Sequence, residues 1–323
     1  MDGLKIYGQD EINEATNLRA GEVKIGEKAQ FTSTLEEIAN STAQFVLIGI
    51  PEDIGVRANH GVPGTATAWQ PALKALLNIQ STPFFSGEEL LVLGHFDFTD
   101  PAAHTLSNLQ QKVEEIDAQV YPVIQKVAAV GKVPIVIGGG HNNAYPMIKG
   151  SSLALNKPID VINIDAHADL RPADGRHSGN GFSYAIRDGF LKNYGIFGLH
   201  QNYNNNAILQ TIAENPHIHA VFFDDLLKSE QLLHDHWQGL VKTTEIDTGL
   251  ELDLDCIANV LSSAVGPSGF SLNEIRKLIL TSGKKFAYLH VCEGAVALID
   301  GRKDQTTSKT IAYLISDFIK SQK

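Results

Sequence analysis

The stretch Ile159-Asp160-Val161-Ile162-Asn163-Ile164 runs straight into Asp165-Ala166-His167-Ala168-Asp169. A short run rich in β-branched residues fits a buried strand, and the polar cluster after it fits the loop at the carboxyl end. Two other runs end in the same way. Leu250-Glu251-Leu252 leads into Asp253-Leu254-Asp255, and Val133–Ile137 empties into Gly138-Gly139-Gly140-His141. Alternate residues of an extended chain point to one side, so Asp165, His167 and Asp169 are expected to converge, as are Asp253 and Asp255. Carboxylates gathered this closely repel one another unless cations sit between them. Four Asp and two His at three strand ends make an oxygen-rich set large enough for two divalent ions. A lone D-x-D pair is ordinarily a solvated loop or a helix cap. Three such strand ends point to a binuclear metal hydrolase, because open α/β sheets bind ligands just beyond the carboxyl ends of their strands.

Outward from these motifs, apolar runs alternate with helix-period stretches almost from end to end. Strands are predicted at 45–50, 90–93, 133–137, 159–164, 194–198, 220–223, 249–252 and 286–291. Helices are predicted at 66–77, 109–130, 225–241, 272–282 and 309–321. That order implies an α/β fold of parallel strands with helices on both faces, joined by right-handed crossovers. No long linker, repeat or low-complexity tract interrupts it, so residues 1–323 are expected to form a single domain. The first 40 residues are polar and weakly patterned, an arm on the sheet or on a partner subunit.

Composition narrows the function classes. The chain has 323 residues, 43% of them hydrophobic and 20% charged, enough for a large core. A formal net charge of −11 argues against a nucleic-acid partner, which needs a basic face. No apolar run approaches the roughly 20 residues needed to cross a bilayer. The start, Met1-Asp2-Gly3-Leu4-Lys5, lacks a signal-peptide pattern. Two cysteines, Cys256 and Cys292, provide no disulfide framework and are expected to be buried and reduced. A soluble cytoplasmic protein without membrane contacts is expected.

Two glycine-rich loops invite a site reading: residues 51–61, and Gly175-Arg176-His177-Ser178-Gly179-Asn180-Gly181-Phe182. Glycine density of this kind suits tight turns near a ligand as well as ordinary surface loops. The glycines before His141 lack the Gly-Lys-Ser/Thr ending of a phosphate loop and the spacing of a dinucleotide fingerprint. A nucleotide site is therefore rejected.

Taken in order, G-G-x-H, D-A-H-x-D and x-D-x-D resemble the arginase/agmatinase/formimidoylglutamase (ureohydrolase) family, from about Phe45 to the C-terminus. The resemblance implies a three-layer α/β/α fold with a mostly parallel sheet, and two Mn²⁺ ions per subunit. Carried over, His141, Asp165, Asp169 and Asp253 would hold one ion. Asp165, His167, Asp253 and Asp255 would hold the other. The family also implies an oligomer of identical subunits. Departures from the arginase pattern point to a particular branch. Arg171 stands where arginases have Asn, and Phe182 where they have a proton-shuttling His. Formimidoylglutamases carry D-A-H-x-D-x-R and a Ser-Gly-x-x-Phe loop, which this chain resembles at both points, as it does across Pro51–Gly61. Ala258-Asn259 replaces the usual Asp-Pro, and the Asn-Pro that often follows Glu293 is missing.

The activity implied is hydrolysis of N-formimidoyl-L-glutamate to L-glutamate and formamide, a step of histidine degradation. Glu293 would face the amidine, and Arg171 a substrate carboxylate, since its planar fork suits bidentate recognition. Ser178 and Asn180 are further substrate-binding candidates, and His177 is the nearest candidate for the missing proton shuttle. The alternatives are an arginase or other guanidino hydrolase releasing urea, and a non-catalytic binding protein on the same fold.

Overall fold

A computed structural model describes residues 3–245 and 247–323. Its strands are β1 (Leu4–Ile6), β2 (Phe45–Gly49), β3 (Leu90–Phe96), β4 (Val133–Ile137), β5 (Ile159–Ile164), β6 (Leu191–Leu199), β7 (Ile218–Phe222), β8 (Thr248–Asp253) and β9 (Tyr288–Cys292). Its α-helices are α1 (Gln9–Ala15), α2 (Ile54–Ala58), α3 (Trp69–Leu77), α4 (Leu106–Ala129), α5 (Ala144–Leu155), α6 (Gly181–Arg187), α7 (Asn206–Glu214), α8 (Phe223–Lys228), α9 (Leu233–Val241), α10 (Leu272–Leu280) and α11 (Thr306–Ser321). The strands form one sheet in the order β1-β3-β2-β4-β9-β8-β5-β6-β7. Only β1 runs antiparallel, beside β3.

Strand periodicity divides the core into two layers, giving the expected α/β/α architecture. Leu47, Ile135, Ile162 and Leu250 face Trp69 of α3, Ile275 of α10 and Ile311 of α11. Val46, Val136 and Val161 face Val113 and Ile116 of α4 and Met147 of α5. Residues β2, β5, β8 and β9 are buried along their whole lengths, as parallel strands covered on both faces must be. Truncating one of these aliphatic side chains to Ala would cost about 2–5 kcal/mol. Gly150 lets α5 approach α4 closely, because a Cβ there would come within 2.6 Å of the Tyr121 carbonyl.

The structure departs from the predicted elements in several places, among them the unpredicted helices α2, α6 and α7. The weakly patterned start supplies β1, which extends the sheet, and α1. The helix predicted over 225–241 is two, α8 and α9. Ser229 between them is extended, and its hydroxyl bonds the Gln231 N–H and the His236 ring, a local alternative to helix continuation. Helix α5 escaped prediction because Gly150-Ser151-Ser152 reads as a loop. Among the described residues, no helix is long and apolar enough to cross a membrane.

Candidate active site

Four neighbouring strands of the sheet, β4, β9, β8 and β5, deliver the site from their carboxyl ends. After β4, Gly138 (φ +93°) and Gly139 (φ +75°) take conformations that favour glycine, and the chain turns to present His141. Glu52, just beyond β2, braces this turn. One of its oxygens accepts from Gly140 N at 3.0 Å and Asn143 Nδ2 at 2.7 Å, and the other from Ile54 N and Gly55 N. Burial pushes the Glu52 pKa up and these donors oppose it. The glycine-rich segment after β2 therefore acts here as scaffold.

The candidate ligands fall into two adjoining groups. His141 Nδ1 lies 3.2 Å from Asp165 Oδ2, 2.9 Å from Asp169 Oδ2 and 3.3 Å from Asp253 Oδ2. His167 Nδ1 lies 3.0 Å from Asp255 Oδ2 and 3.6 Å from Asp165 Oδ1. Ligand atoms of His141, Asp165, Asp169 and Asp253 sit within 4.8 Å of one another, as do those of Asp165, His167 and Asp255. Asp165 belongs to both groups, whereas Asp253 falls in the first. The expected reason for convergence needs correcting. The chain beyond Ile164 is not extended: Asp169 has φ +50°, and Asp165 Oδ1 accepts His167 N at 2.7 Å. Likewise Asp255 sits in a 3₁₀ turn, and Asp253 Oδ1 accepts its N–H at 2.9 Å. Turns closed by the aspartates themselves, rather than strand alternation, gather the cluster.

Its electrostatics demand positive charge. Burial pushes Asp253 well above the usual carboxylate range, and the neighbouring Asp255 and Asp165 push it further. Burial opposes a charged His141, yet Cys292 and the three aspartates around the ring raise its pKa well above the ordinary value. Both His141 ring nitrogens and Asp255 Oδ1 are buried without a hydrogen-bond partner among the described residues. Carboxylate oxygens with imidazole nitrogens, crowded and unsatisfied, fit hard or borderline divalent cations.

Glu293 follows β9 directly and takes φ +60°, a strained conformation of the kind that gathers at functional sites. Its Oε1 accepts His141 N at 2.7 Å, and Oε2 accepts the Ser263 hydroxyl. Burial lifts its pKa to about 7, against those two donors.

One row deeper lies a set of polar residues that sequence reading passed over. Asn163, Glu251 and His290 are fully buried and adjacent in register across β5, β8 and β9. Their signal was a Glu between Leu250 and Leu252 in a strand with both faces covered. Burial pushes Glu251 up, but the His290 and His141 rings beside it bring it down to about 2. The two cysteines are free and buried, as expected.

The clusters open into a cavity of about 280 Å³ lined by His167, Asp169, Asp253, Asp255, Ser263 and Glu293, together with Asn59, Arg171, Ser178, Tyr203 and Asn205. Arg171 is exposed and in no ion pair with a described residue. Ser178 lines the cavity, and its hydroxyl accepts Asn59 Nδ2 at 3.1 Å. Asn180 does not reach it. This side chain is fully buried, accepting from Arg176 Nη1 and His177 N and donating to the Pro172 and Gly175 carbonyls. His177 also stays out of the cavity lining, and its Nδ1 accepts Gly179 N at 3.1 Å. Burial, with Arg171 and Arg176 nearby, lowers its pKa to about 4. Phe182 is packed edge-on behind His141, with ring centroids 5.1 Å apart.

Comparison with known proteins places this geometry. The sequence profile of the Arginase family matches residues 43–320. This chain belongs to the arginase family. Among arginase-family relatives it is 30% identical over 225 residues to a formimidoylglutamase of Streptococcus gordonii, covering 66% of this chain and 64% of that protein. It is 30% identical over 190 residues to one of Streptococcus pyogenes, covering 56% of this chain and 55% of that one. The matches thus span less than two thirds of these relatives. Solved arginase-family structures share the fold. Trypanosoma cruzi formiminoglutamase with Mn²⁺ superposes with a TM-score of 0.73 at 20% identity, covering 93% of this chain and 98% of that chain. Bacillus subtilis formimidoylglutamase superposes with a TM-score of 0.76 at 16% identity, covering 94% and 93%.

Proposed function

We propose that this protein hydrolyses N-formimidoyl-L-glutamate to L-glutamate and formamide, as a cytoplasmic enzyme with two Mn²⁺ ions per subunit. The observation that carries the substrate assignment is Arg171, a guanidinium in no ion pair with a described residue, which lines the same cavity as the acidic ligand cluster and Glu293 and so offers a bound molecule a cationic end beside an acidic one. A short amidine bearing carboxylates places opposite charges at those two ends, and a cavity of about 280 Å³ suits a small substrate. The formimidoylglutamase relatives support the same reading.

Water adds to the formimidoyl carbon, the bond from that carbon to the glutamate nitrogen breaks, and the nitrogen leaves with a proton. Divalent ions, when bound, supply the Lewis acidity that brings a water's pKa near neutrality. His141, Asp165, Asp169 and Asp253 would hold one ion, and Asp165, His167 and Asp255, with Asp253 beside them, the other. Glu293, fixed from both sides by His141 N–H and the Ser263 hydroxyl, holds the cationic amidine nitrogen and orients the carbon. Arg171 binds a carboxylate, and Ser178 lies beside it to accept or donate a hydrogen bond. Tyr203, stacked on His167 at 5.3 Å between centroids, forms the wall between them.

The test is an assay of Mn²⁺-reconstituted protein against formimidoylglutamate, arginine, agmatine and guanidinobutyrate. Formamide and glutamate from the first substrate, far faster than urea from the others, is the expected result. Preferential urea release would make the protein a guanidino hydrolase.

A further inference from the structure

The buried row beneath the ligands is chemically odd for its position. Asn163, Glu251 and His290 stand side by side on the sheet face that carries Asp253, while the opposite face of the same strands is Ile162, Leu250, Leu252 and Leu289. Interior parallel strands ordinarily bury aliphatic side chains on both faces, and a buried charge is costly unless paired. Here the polar atoms are paired, except Asn163 Oδ1, which has no partner among the described residues. Asn163 Nδ2 donates to Asp165 Oδ2 at 2.9 Å. Glu251 Oε1 accepts the Tyr288 hydroxyl at 2.7 Å, and Oε2 meets His290 Nδ1 at 2.6 Å. His290 Nε2 faces the Gly138 carbonyl at 3.3 Å. The carboxylate nearest His141 Nε2 is again Glu251 Oε2, at 3.5 Å, an ion-pair distance just short of a formed hydrogen bond.

We propose that the Glu251–His290 pair is a positioning device for the metal centre: Glu251 keeps the proton of His141 on Nε2, leaving Nδ1 turned to Asp165, Asp169 and Asp253 as a ligand. An imidazole offers one lone pair, and the partner of its other nitrogen decides which nitrogen that is. Without an acceptor behind it, the ring's proton would settle on Nδ1, where three aspartates invite it and a cation must bind. His290 has acceptors at both ring nitrogens, Glu251 Oε2 and the Gly138 carbonyl, so its ring is fixed and holds the Glu251 carboxylate in place beneath the cluster. Phe182, edge-on to the His141 ring, fixes its plane. His141, Glu251, His290 and Cys292 also have ligand-like spacing. Both Glu251 oxygens and both His290 nitrogens are engaged with protein groups, however, so the set supports the neighbouring centre rather than binding an ion of its own.

This inference rests on the two-ion reading above, and the experiment separates the two. Full-length wild type, Glu251→Gln, Glu251→Ala and His290→Asn are labelled with ¹⁵N-histidine, and the His141 Nε2–H proton is followed in metal-free and Zn²⁺-loaded protein. Ions per chain are measured after dialysis against graded Mn²⁺. The wild type is expected to show a slowly exchanging Nε2–H in both forms and to retain two ions. Glu251→Ala should lose that protected proton and bind the first ion roughly 10–100-fold more weakly. Glu251→Gln, which keeps a neutral acceptor, should retain the proton, melt like wild type, and show a smaller loss of affinity. If Glu251→Ala does not fold, unchanged ion affinity in both Glu251→Gln and His290→Asn overturns the proposal. An unaltered Nε2–H in folded Glu251→Ala, or a third ion lost on His290→Asn, also overturns it. A wild type that retains fewer than two ions overturns the two-ion reading instead, and the metal-free spectra still decide the role of Glu251.

Discussion

The backbone N–H of His141 donates to Oε1 of Glu293 across 2.7 Å, tying the loop after β4 to the end of β9. The peptide of a candidate ligand thereby holds the carboxylate that faces the cavity, so one bond fixes the proposed metal-binding and substrate-binding groups relative to each other. Glu293→Gln keeps an acceptor for that N–H and removes the charge. We expect kcat/KM to fall about 10²–10³-fold, the size typical of a lost electrostatic partner in a dry site, with ion content unchanged. Because burial raises Glu293 to about 7 and the ionised form binds the cationic amidine, wild-type kcat/KM should decline as pH falls through about 7. Turnover by the Gln variant close to wild type would remove Glu293 from the machinery.

Asp165 belongs to both ligand groups and Asp255 to one. Asp165→Ala should therefore abolish binding of both ions, whereas Asp255→Ala should retain one, with the sheet folded in each case. Elemental analysis after dialysis against low Mn²⁺ distinguishes the two. Equal ion loss in both variants would mean that the second group is not a separate site.

Buried Arg176 locks the loop that carries Ser178. Its Nε lies 2.7 Å from Asp117 Oδ2, and its Nη atoms reach Asn180 Oδ1 at 2.9 Å and the Asn142 carbonyl at 2.8 Å. Arg176→Ala strands Asp117 inside the protein and should cost about 3–5 kcal/mol. Arg176→Lys should recover little, since a single ammonium cannot span the fork. Urea unfolding of the two variants checks both statements, and a Lys variant as stable as wild type would show that the fork geometry is unimportant.

The clustering of the candidate ligands was legible because it is written in short intervals: D-A-H-x-D and D-x-D each bring their residues together within one turn, whatever the wider packing. Glu293 and Arg171 were legible through family resemblance. Loop interiors were not. Ser178 and Asn180 are two residues apart, yet one lines the cavity and the other is consumed by Arg176, a partner set by the distant Asp117 of α4. Glu251 was hidden for a different reason. A single charge inside an apolar run looks like strand edge or surface until the register sets it beside His290 and Asn163. Strand β1 has only three residues, and its place comes from the β3 edge rather than from its own pattern.

His177 gives a pH test of stability. Its folded pKa, lowered to about 4, lies below the ordinary histidine value of about 6.5. The unfolded chain therefore takes up this proton first as pH falls. Stability should drop between about 6.5 and 4 and level off below, as the linkage relation requires. The ring is buried, but its loop carries exposed Arg171 and Asp174, and screening by nearby solvent limits the effect to about 1–2 kcal/mol. His177→Asn keeps an acceptor near the Nδ1 position for Gly179 N–H and removes the titration. Its loss of stability from pH 7 to pH 4.5 should be smaller than that of wild type by this amount, and parallel curves would contradict the assignment.

Arg171 is the proposed reader of the substrate's negative charge. Its side chain is exposed at the cavity, so substrate binding, not the fold, would supply its partner. Arg171→Ala should leave unfolding stability within about 0.5 kcal/mol of wild type, as for other surface substitutions, and leave ion content unchanged. A charged hydrogen bond lost to a carboxylate should weaken formimidoylglutamate binding by about 1.5–3 kcal/mol, read mainly in KM. Agmatine has no carboxylate to lose, so its turnover, however slow, should not respond. Arg171→Lys should recover part of the binding by charge alone, without the bidentate geometry. A formimidoylglutamate KM unmoved in Arg171→Ala would leave the carboxylate unassigned and shift the search to Ser178 and Asn59. Equal weakening for agmatine would show that Arg171 shapes the cavity rather than reading the substrate's charge.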